Sequence, residues 1–162
     1  MGSGKTTLGK KLAPLLNYPF IDLDAFIEKK EKTSIPLLFR KWGEDYFREL
    51  ESKYLLEAIQ SSPSSVLSLG GGTVCNTVNL SLIKTNGLLI YIDLPVSVLA
   101  DRIRDSKTER PLLQNLRDSE LNHFIEEKLQ ERKPFYDQAH IKINGLNLNS
   151  HYILQIISAF VP

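Results

Sequence analysis

Gly4-Lys5-Thr6, within the opening run Met1-Gly2-Ser3-Gly4-Lys5-Thr6-Thr7, carries the residue types of a phosphate-binding loop. The full pattern is G-x-x-x-x-G-K-S/T. Its glycines let the backbone curl so that successive N–H groups point inward at phosphate oxygens. Lys5 would meet the β- and γ-phosphates as a point charge, and the Thr6 hydroxyl would ligate Mg²⁺. A helix opening directly after the loop would aim its unpaired N–H groups and its positive dipole end at the anion. Segment 7–13 can supply that helix, with Leu8 and Leu12 on one face. The first glycine of the pattern would precede Met1, and so would the strand that feeds such a loop. A flexible Gly-Ser-rich terminus is the plainer alternative.

Other residues have the chemistry to join such a site. Phe20, Ile21 and Leu23 form a short apolar strand that runs into Asp22 and Asp24. Ligands of open α/β sheets bind beyond the carboxyl ends of the strands, where the loop would also lie. The two-residue spacing predicts both carboxylates on one face. Asp24 could instead merely cap a helix over 25–30, but a cap needs only one aspartate. Arg48 lies beside the apolar stripe of a helix over 44–60, made by Phe47, Leu50, Tyr54 and Ala58. Taken alone it reads as a surface residue paired with Glu44 or Glu51. Gly70-Gly71-Gly72 follows a buried strand at 65–69. A plain turn usually needs one glycine, so three favour close approach of the backbone to a ligand. Arg132 ends an amphipathic helix over 120–133, where a cation also suits the helix dipole. Residues 105–119 are polar and long for a connection, which predicts an active-site lid with Arg110 as its phosphate-facing cation. His123, His140 and His151 show no metal-ligand spacing.

The elements that must position these groups alternate between short apolar runs and amphipathic helices. Strands are expected at 20–23, 66–69, 88–93 and 141–143. Helices are expected at 7–13, 25–30, 34–43 (closed by Gly43), 44–60, 79–84, from Pro95 onward, 120–133, and after Ser150 as N-cap, with Ile153, Ile156, Ile157 and Phe160 inward. The run 88–94 is apolar almost throughout, as for a parallel strand covered on both faces. The order predicts a three-layer α/β/α domain with a central parallel sheet, of the P-loop nucleotide-binding kind. The 162 residues suffice for one domain, 1–162. A net charge of +1 gives no reason to expect a nucleic-acid partner. The one cysteine, Cys75, excludes an internal disulfide framework and fits a reducing compartment. No apolar run reaches membrane-spanning length, so a soluble cytoplasmic monomer is expected.

Six segments in register, G-S-G-K-T-T, F-I-D-L-D, G-E-D-Y-F-R-E-L-E, G-G-G, R-P-L-L and E-R-K-P-F-Y, resemble shikimate kinase. The resemblance runs from Met1 to about Ile143. It implies transfer of the ATP γ-phosphoryl group to the 3-hydroxyl of shikimate, on the route to chorismate and the aromatic amino acids. It implies that Gly2, Ser3, Gly4, Lys5, Thr6 and Thr7 hold the phosphates. Thr6 would take Mg²⁺, and Asp22 would orient it through water. Asp24 would bind the substrate hydroxyls and accept the proton. Arg48, Arg132 and the backbone of Gly70, Gly71 and Gly72 would hold the substrate carboxylate. Arg110 would be the lid arginine.

Two departures accompany the resemblance. No Lys or Arg follows Lys142, where relatives place a cation near adenine; Leu146 and Asn147 stand there instead. The family sheet order is 2-3-1-4-5, and the four strands here correspond to its strands two to five. Without strand one, strands three and four would face each other across about 10 Å, twice the normal spacing. The expectation is that the natural chain starts upstream of Met1. A related small kinase such as a gluconokinase, or a degenerate non-catalytic module, remains an alternative reading.

Overall fold

The computed structural model describes residues 2–105 and 118–160. The first helix, α1, spans Lys5–Leu16 and begins two residues earlier than expected, directly on Gly4. Strand β1, Phe20–Asp22, stops at Asp22 because that residue's carboxylate accepts the N–H of Ala25 at 3.3 Å and starts α2, Leu23–Glu31. Asp22 is therefore the cap, and Asp24 lies in the first helical turn. The expected strand alternation of the two aspartates is replaced by a strand-to-helix corner.

Helix α3 covers Ile35–Ser61 but is broken at Gly43, where φ is 82°. That left-handed backbone suits glycine and makes the division expected there. After the break the stripe falls inward as read, with Phe47, Leu50, Tyr54, Leu55 and Ala58 buried. Strand β2, Val66–Ser68, is followed by the three glycines, a short helical turn at Thr73–Cys75, and α4, Thr77–Asn86. Next come β3, Ile90–Asp93, and α5, Val96–Arg104. Arg110 and the expected lid at 105–119 fall almost wholly outside the described residues. Helix α6 runs through Asp118–Tyr136, β4 is Ile141–Asn144, and α7 is Ser150–Phe160. The side chain of Asn149, rather than that of Ser150, accepts the N–H of His151 at 2.9 Å and caps α7. Ile153 is buried, but Phe160, expected inward, is exposed.

The strands pair in parallel as β1–β2 and β3–β4, with Ile21 opposite Leu67 and Ile92 opposite Ile143. Among the described residues these are two separate two-stranded sheets, not one continuous sheet. Helix α1 joins them. A β-carbon on its Gly9 would lie 2.5 Å from the Phe20 ring, so that face sits flat on β1. Leu8 and Leu12 pack with Ile141 and Ile143 of β4 and Ile153 of α7. Leu23, Ile27, Leu38 and Leu55 are fully buried in a second core under α2, α3 and α4, worth about 1.5–3 kcal/mol each. A third core joins α5 to α6 through Leu99, Ile103, Leu121 and Ile125. A mainly apolar, partly open cavity of about 120 Å³ lies between the sheets, reaching from Leu69 to Ile90 and Ile92 and up to Ser3 and Lys5. No helix among the described residues is long and apolar enough to cross a membrane.

Candidate active site

The opening loop is built from two left-handed glycines, Gly2 at φ 65° and Gly4 at φ 85°. Only glycine adopts such angles at little cost, and between them they curl the chain into the start of α1. Gly4 is the N-cap, and its C=O accepts the N–H of Leu8 at 2.9 Å. The first N–H groups of α1 are left free to bind an anion. In the first turn of α1, the Thr6 hydroxyl donates to Asp22 Oδ2 at 2.8 Å and lies 3.3 Å from Ser68 Oγ. Asp22 thus has two tasks: Oδ1 caps α2, and Oδ2 meets the loop threonine.

Asp24 stands beside this pair. Burial pushes its carboxyl above the usual range. Lys5 opposes that rise, and Asp22, Glu51 and Glu28 add to it. Lys5 and Asp24 therefore share one electrostatic site. Removing Asp24 from the strand does not remove it from the site, because the first turn of α2 folds back toward the loop.

The carboxylate-sized end is assembled by α3, the glycine run and α6. The Arg48 guanidinium donates from Nη1 to Glu51 and from Nη2 to Glu44, both at 2.8 Å. The bland surface pairing is therefore present, but the side chain is only 28% exposed and Glu51 is 1% exposed. Glu51 also accepts the Thr73 hydroxyl at 2.6 Å. Burial works to lower the pKa of Arg48, and the two glutamates outweigh it. A β-carbon on Gly72 would lie 2.7 Å from both Nη atoms of Arg48. One on Gly70 would lie 2.8 Å from Glu51 Oε1 and 3.3 Å from Asp24 Oδ1. The glycines are where side chains crowd in, so close approach, not turning alone, explains them.

Arg132 reaches the same place from α6. It lies close enough to the Tyr136 hydroxyl to act on it electrostatically. Burial raises the Tyr136 hydroxyl and the Cys75 thiol, and Arg132 and Arg48 both oppose those rises. Two arginines far apart in sequence thus act on one pair of groups. The Tyr136 hydroxyl donates to the Gly71 C=O at 2.6 Å, and its ring stacks on Tyr91 with centroids 4.7 Å apart. The arrangement places the glycine run against the Arg48 guanidinium, with the partly buried carboxylate of Asp24 between it and the opening loop.

The family profile described as shikimate kinase matches residues 1–161. The chain belongs to the shikimate kinase family. A shikimate kinase of Phocaeicola vulgatus is 46% identical over 139 residues, which cover 86% of this chain and 79% of the relative. The crystal structure of a shikimate kinase from Bacteroides thetaiotaomicron superposes with a TM-score of 0.89 at 38% identity, covering 99% of this chain and 93% of that one. A shikimate kinase from Acinetobacter baumannii, determined in complex with shikimate, also gives 0.89, at 35% identity over 99% of this chain and 90% of that one. The three-layer P-loop kinase fold and an ATP-dependent shikimate kinase activity follow from these relationships.

Sequence reading named Lys5, Thr6, Asp22, Asp24, Arg48, the glycine run and Arg132, and the structure links them through neighbouring groups. That reading did not single out Glu51, Ser68, Thr73, Tyr136 or Arg102, which the structure places against these groups. A signal existed for Glu51, an acid set on an apolar stripe, and for Ser68, a hydroxyl in an apolar strand. Arg102 had none: its Nη1 donates to the backbone C=O groups of Gly2 and Ser3 at 3.4 and 3.2 Å, from the other end of the sequence.

Proposed function

We propose that this chain, acting as one domain over 1–162, transfers the γ-phosphoryl group of ATP to the 3-hydroxyl of shikimate, and that the residues above share the work. The observation that carries the reading is the glycine run itself: a β-carbon on Gly72 would meet both Arg48 Nη atoms at 2.7 Å and one on Gly70 would meet Asp24 Oδ1 at 3.3 Å, while Tyr136, from the Arg132 helix, holds the Gly71 C=O. A shikimate-sized anion needs such an arrangement: guanidinium forks for its carboxylate, a carboxylate for its hydroxyls, and a phosphate cradle within reach.

Gly2, Ser3, Gly4, Lys5, Thr6 and Thr7 hold the triphosphate. Arg48, Arg132 and the N–H groups of Gly70, Gly71 and Gly72 hold the substrate carboxylate. The Tyr136 bond to the Gly71 C=O fixes that peptide, and a planar trans peptide then turns the Gly72 N–H the opposite way. Asp24 accepts the proton of the 3-hydroxyl as its oxygen bonds to the γ-phosphorus and the bond to the β–γ bridging oxygen breaks, releasing ADP. Burial of Asp24 raises its affinity for that proton, which suits a base working near neutral pH. The transition state is loose, so holding donor and acceptor in line matters as much as the base. Arg110 supplies the lid cation.

Thr6 Oγ1, Asp22 Oδ2 and Ser68 Oγ make an oxygen-only set, which fits Mg²⁺. No cluster of three or more His, Cys, Asp or Glu suited to a metal occurs among the described residues. Mg²⁺ bound through one or two protein groups plus phosphate and water does not require one. When bound it would neutralise charge on the β- and γ-phosphates. A monomer in the cytoplasm is the working assembly and location, in keeping with the single reduced Cys75. The test is an acceptor panel: ADP release with shikimate, gluconate and nucleoside monophosphates. Turnover confined to shikimate is expected, and turnover on gluconate or a nucleotide with none on shikimate would overturn the assignment.

A further inference from the structure

We infer that Thr73 is a positioning residue for the substrate carboxylate: its hydroxyl holds the buried Glu51 to a single bond with Arg48 and so leaves the rest of the guanidinium fork to the substrate. The inference rests on the reading of Arg48 as a ligand of the substrate carboxylate.

Glu51 lies on the inward side of α3 at 1% exposure, and a charge so placed must be paired. Its two oxygens have partners from different elements. Oε2 accepts Arg48 Nη1 at 2.8 Å, and Oε1 accepts the Thr73 hydroxyl at 2.6 Å. Thr73 is wholly buried, at the start of the short helical turn that follows the glycine run. That turn is itself pinned. The Thr73 N–H donates to the Gly70 C=O at 3.3 Å, and the Thr73 C=O accepts Nδ2 of the buried Asn79 at 3.2 Å. The hydroxyl therefore meets Glu51 from a fixed backbone. The meeting point borders the glycine run: a β-carbon on Gly70 would be 2.8 Å from Glu51 Oε1 and 3.0 Å from Thr73 Oγ1.

The shape of the guanidinium turns this contact into function. An arginine and a carboxylate pair most strongly through two parallel bonds. With both oxygens free, Glu51 would take Arg48 in that way and use up the fork. The Thr73 hydroxyl occupies Oε1, so Glu51 takes Nη1 alone. Nη2 and Nε are then left to Glu44, at 2.8 and 3.2 Å, whose side chain is 51% exposed. A bond to so exposed a partner contributes little and exchanges readily for a substrate carboxylate. Both Nη atoms already lie against Gly72, where the proposed function puts that carboxylate. Being wholly buried, Thr73 acts through Glu51 and Arg48 and not on the substrate itself.

The test is steady-state kinetics with shikimate and MgATP varied in turn. Thr73→Val keeps the shape and removes the hydroxyl. It should raise KM for shikimate about three- to tenfold, with KM for MgATP and kcat each changing less than about twofold. Thr73→Ser restores the donor and loses a methyl group. It should recover the shikimate KM, which a role in packing alone would not allow. Thr73→Ala, with room for a water in place of the hydroxyl, guards against misfolding of the valine variant and should show the same selective loss in smaller size. In an Arg48→Lys background, where the fork is already gone, Thr73→Val should change KM for shikimate less than about twofold. An unchanged shikimate KM, an equal rise for MgATP, no recovery by serine, or the same loss in the Arg48→Lys background would each overturn the inference. An unchanged shikimate KM in Arg48→Lys itself would instead overturn the reading beneath it.

Discussion

Replacing Arg48 with lysine keeps the charge and removes the fork. The arginine uses Nη1 on Glu51 and Nη2 and Nε on Glu44, at 2.8, 2.8 and 3.2 Å, while both Nη atoms lie against the Gly72 backbone. Lysine has one ammonium, and the nearly inaccessible Glu51 will claim it, since an unpaired buried carboxylate is the costlier alternative. The fold should therefore survive. What is lost is the second, parallel donor that a substrate carboxylate would take. A hydrogen bond to a charged group is worth roughly 1.5–3 kcal/mol, which is about a ten- to hundredfold change in affinity. Steady-state kinetics with each substrate varied in turn should show KM for shikimate rising by that factor and KM for MgATP nearly constant. Thermal melting should shift by only a few degrees. An equal loss for both substrates would mean the change is structural, and an unchanged KM for shikimate would remove Arg48 from the binding site.

Asp24→Asn should lower kcat strongly and shikimate affinity less, because an amide hydrogen-bonds but takes no proton. The same variant should melt higher at pH 7. The carboxyl of Asp24 is raised by burial above its usual 3.8, so its contribution to stability is full below that value and lost as pH rises through the folded pKa. The stability difference should vanish in acid, and equal melting at pH 7 would contradict the burial argument. Tyr136→Phe removes the 2.6 Å bond to the Gly71 C=O and should raise KM for shikimate about fivefold, for roughly 1 kcal/mol lost; no change would show that the glycine run needs no brace.

The local features of the fold were legible because they rest on short-range chemistry. Gly43 marked the break in α3, Pro95 the start of α5, and the 88–94 run the strand β3. Boundaries failed where a side chain intervened: Asp22 ended β1 early by capping α2, and Asn149 took the cap expected of Ser150. The loop lysine and threonine were visible as a motif. The arginines were not decisive singly, since Arg48 does make the ordinary helix ion pairs; only the resemblance gave a reason for Arg48 and Arg132 to meet. Tyr136 and Arg102 were invisible because both act on backbone carbonyls of distant segments, and no spacing rule links position 136 to 71 or 102 to 2.

The most direct test of the central claim is the site of phosphate attachment. The purified chain would be incubated with MgATP and shikimate, and the product examined by phosphorus–proton NMR, beside a folded Lys5→Ala variant. The proposed function assigns stabilisation of the phosphate charge to Lys5. The account predicts one product, with the phosphorus coupled to the proton on C3, and none from the variant. Phosphate on another hydroxyl, no transfer to shikimate, or undiminished transfer by Lys5→Ala would contradict it.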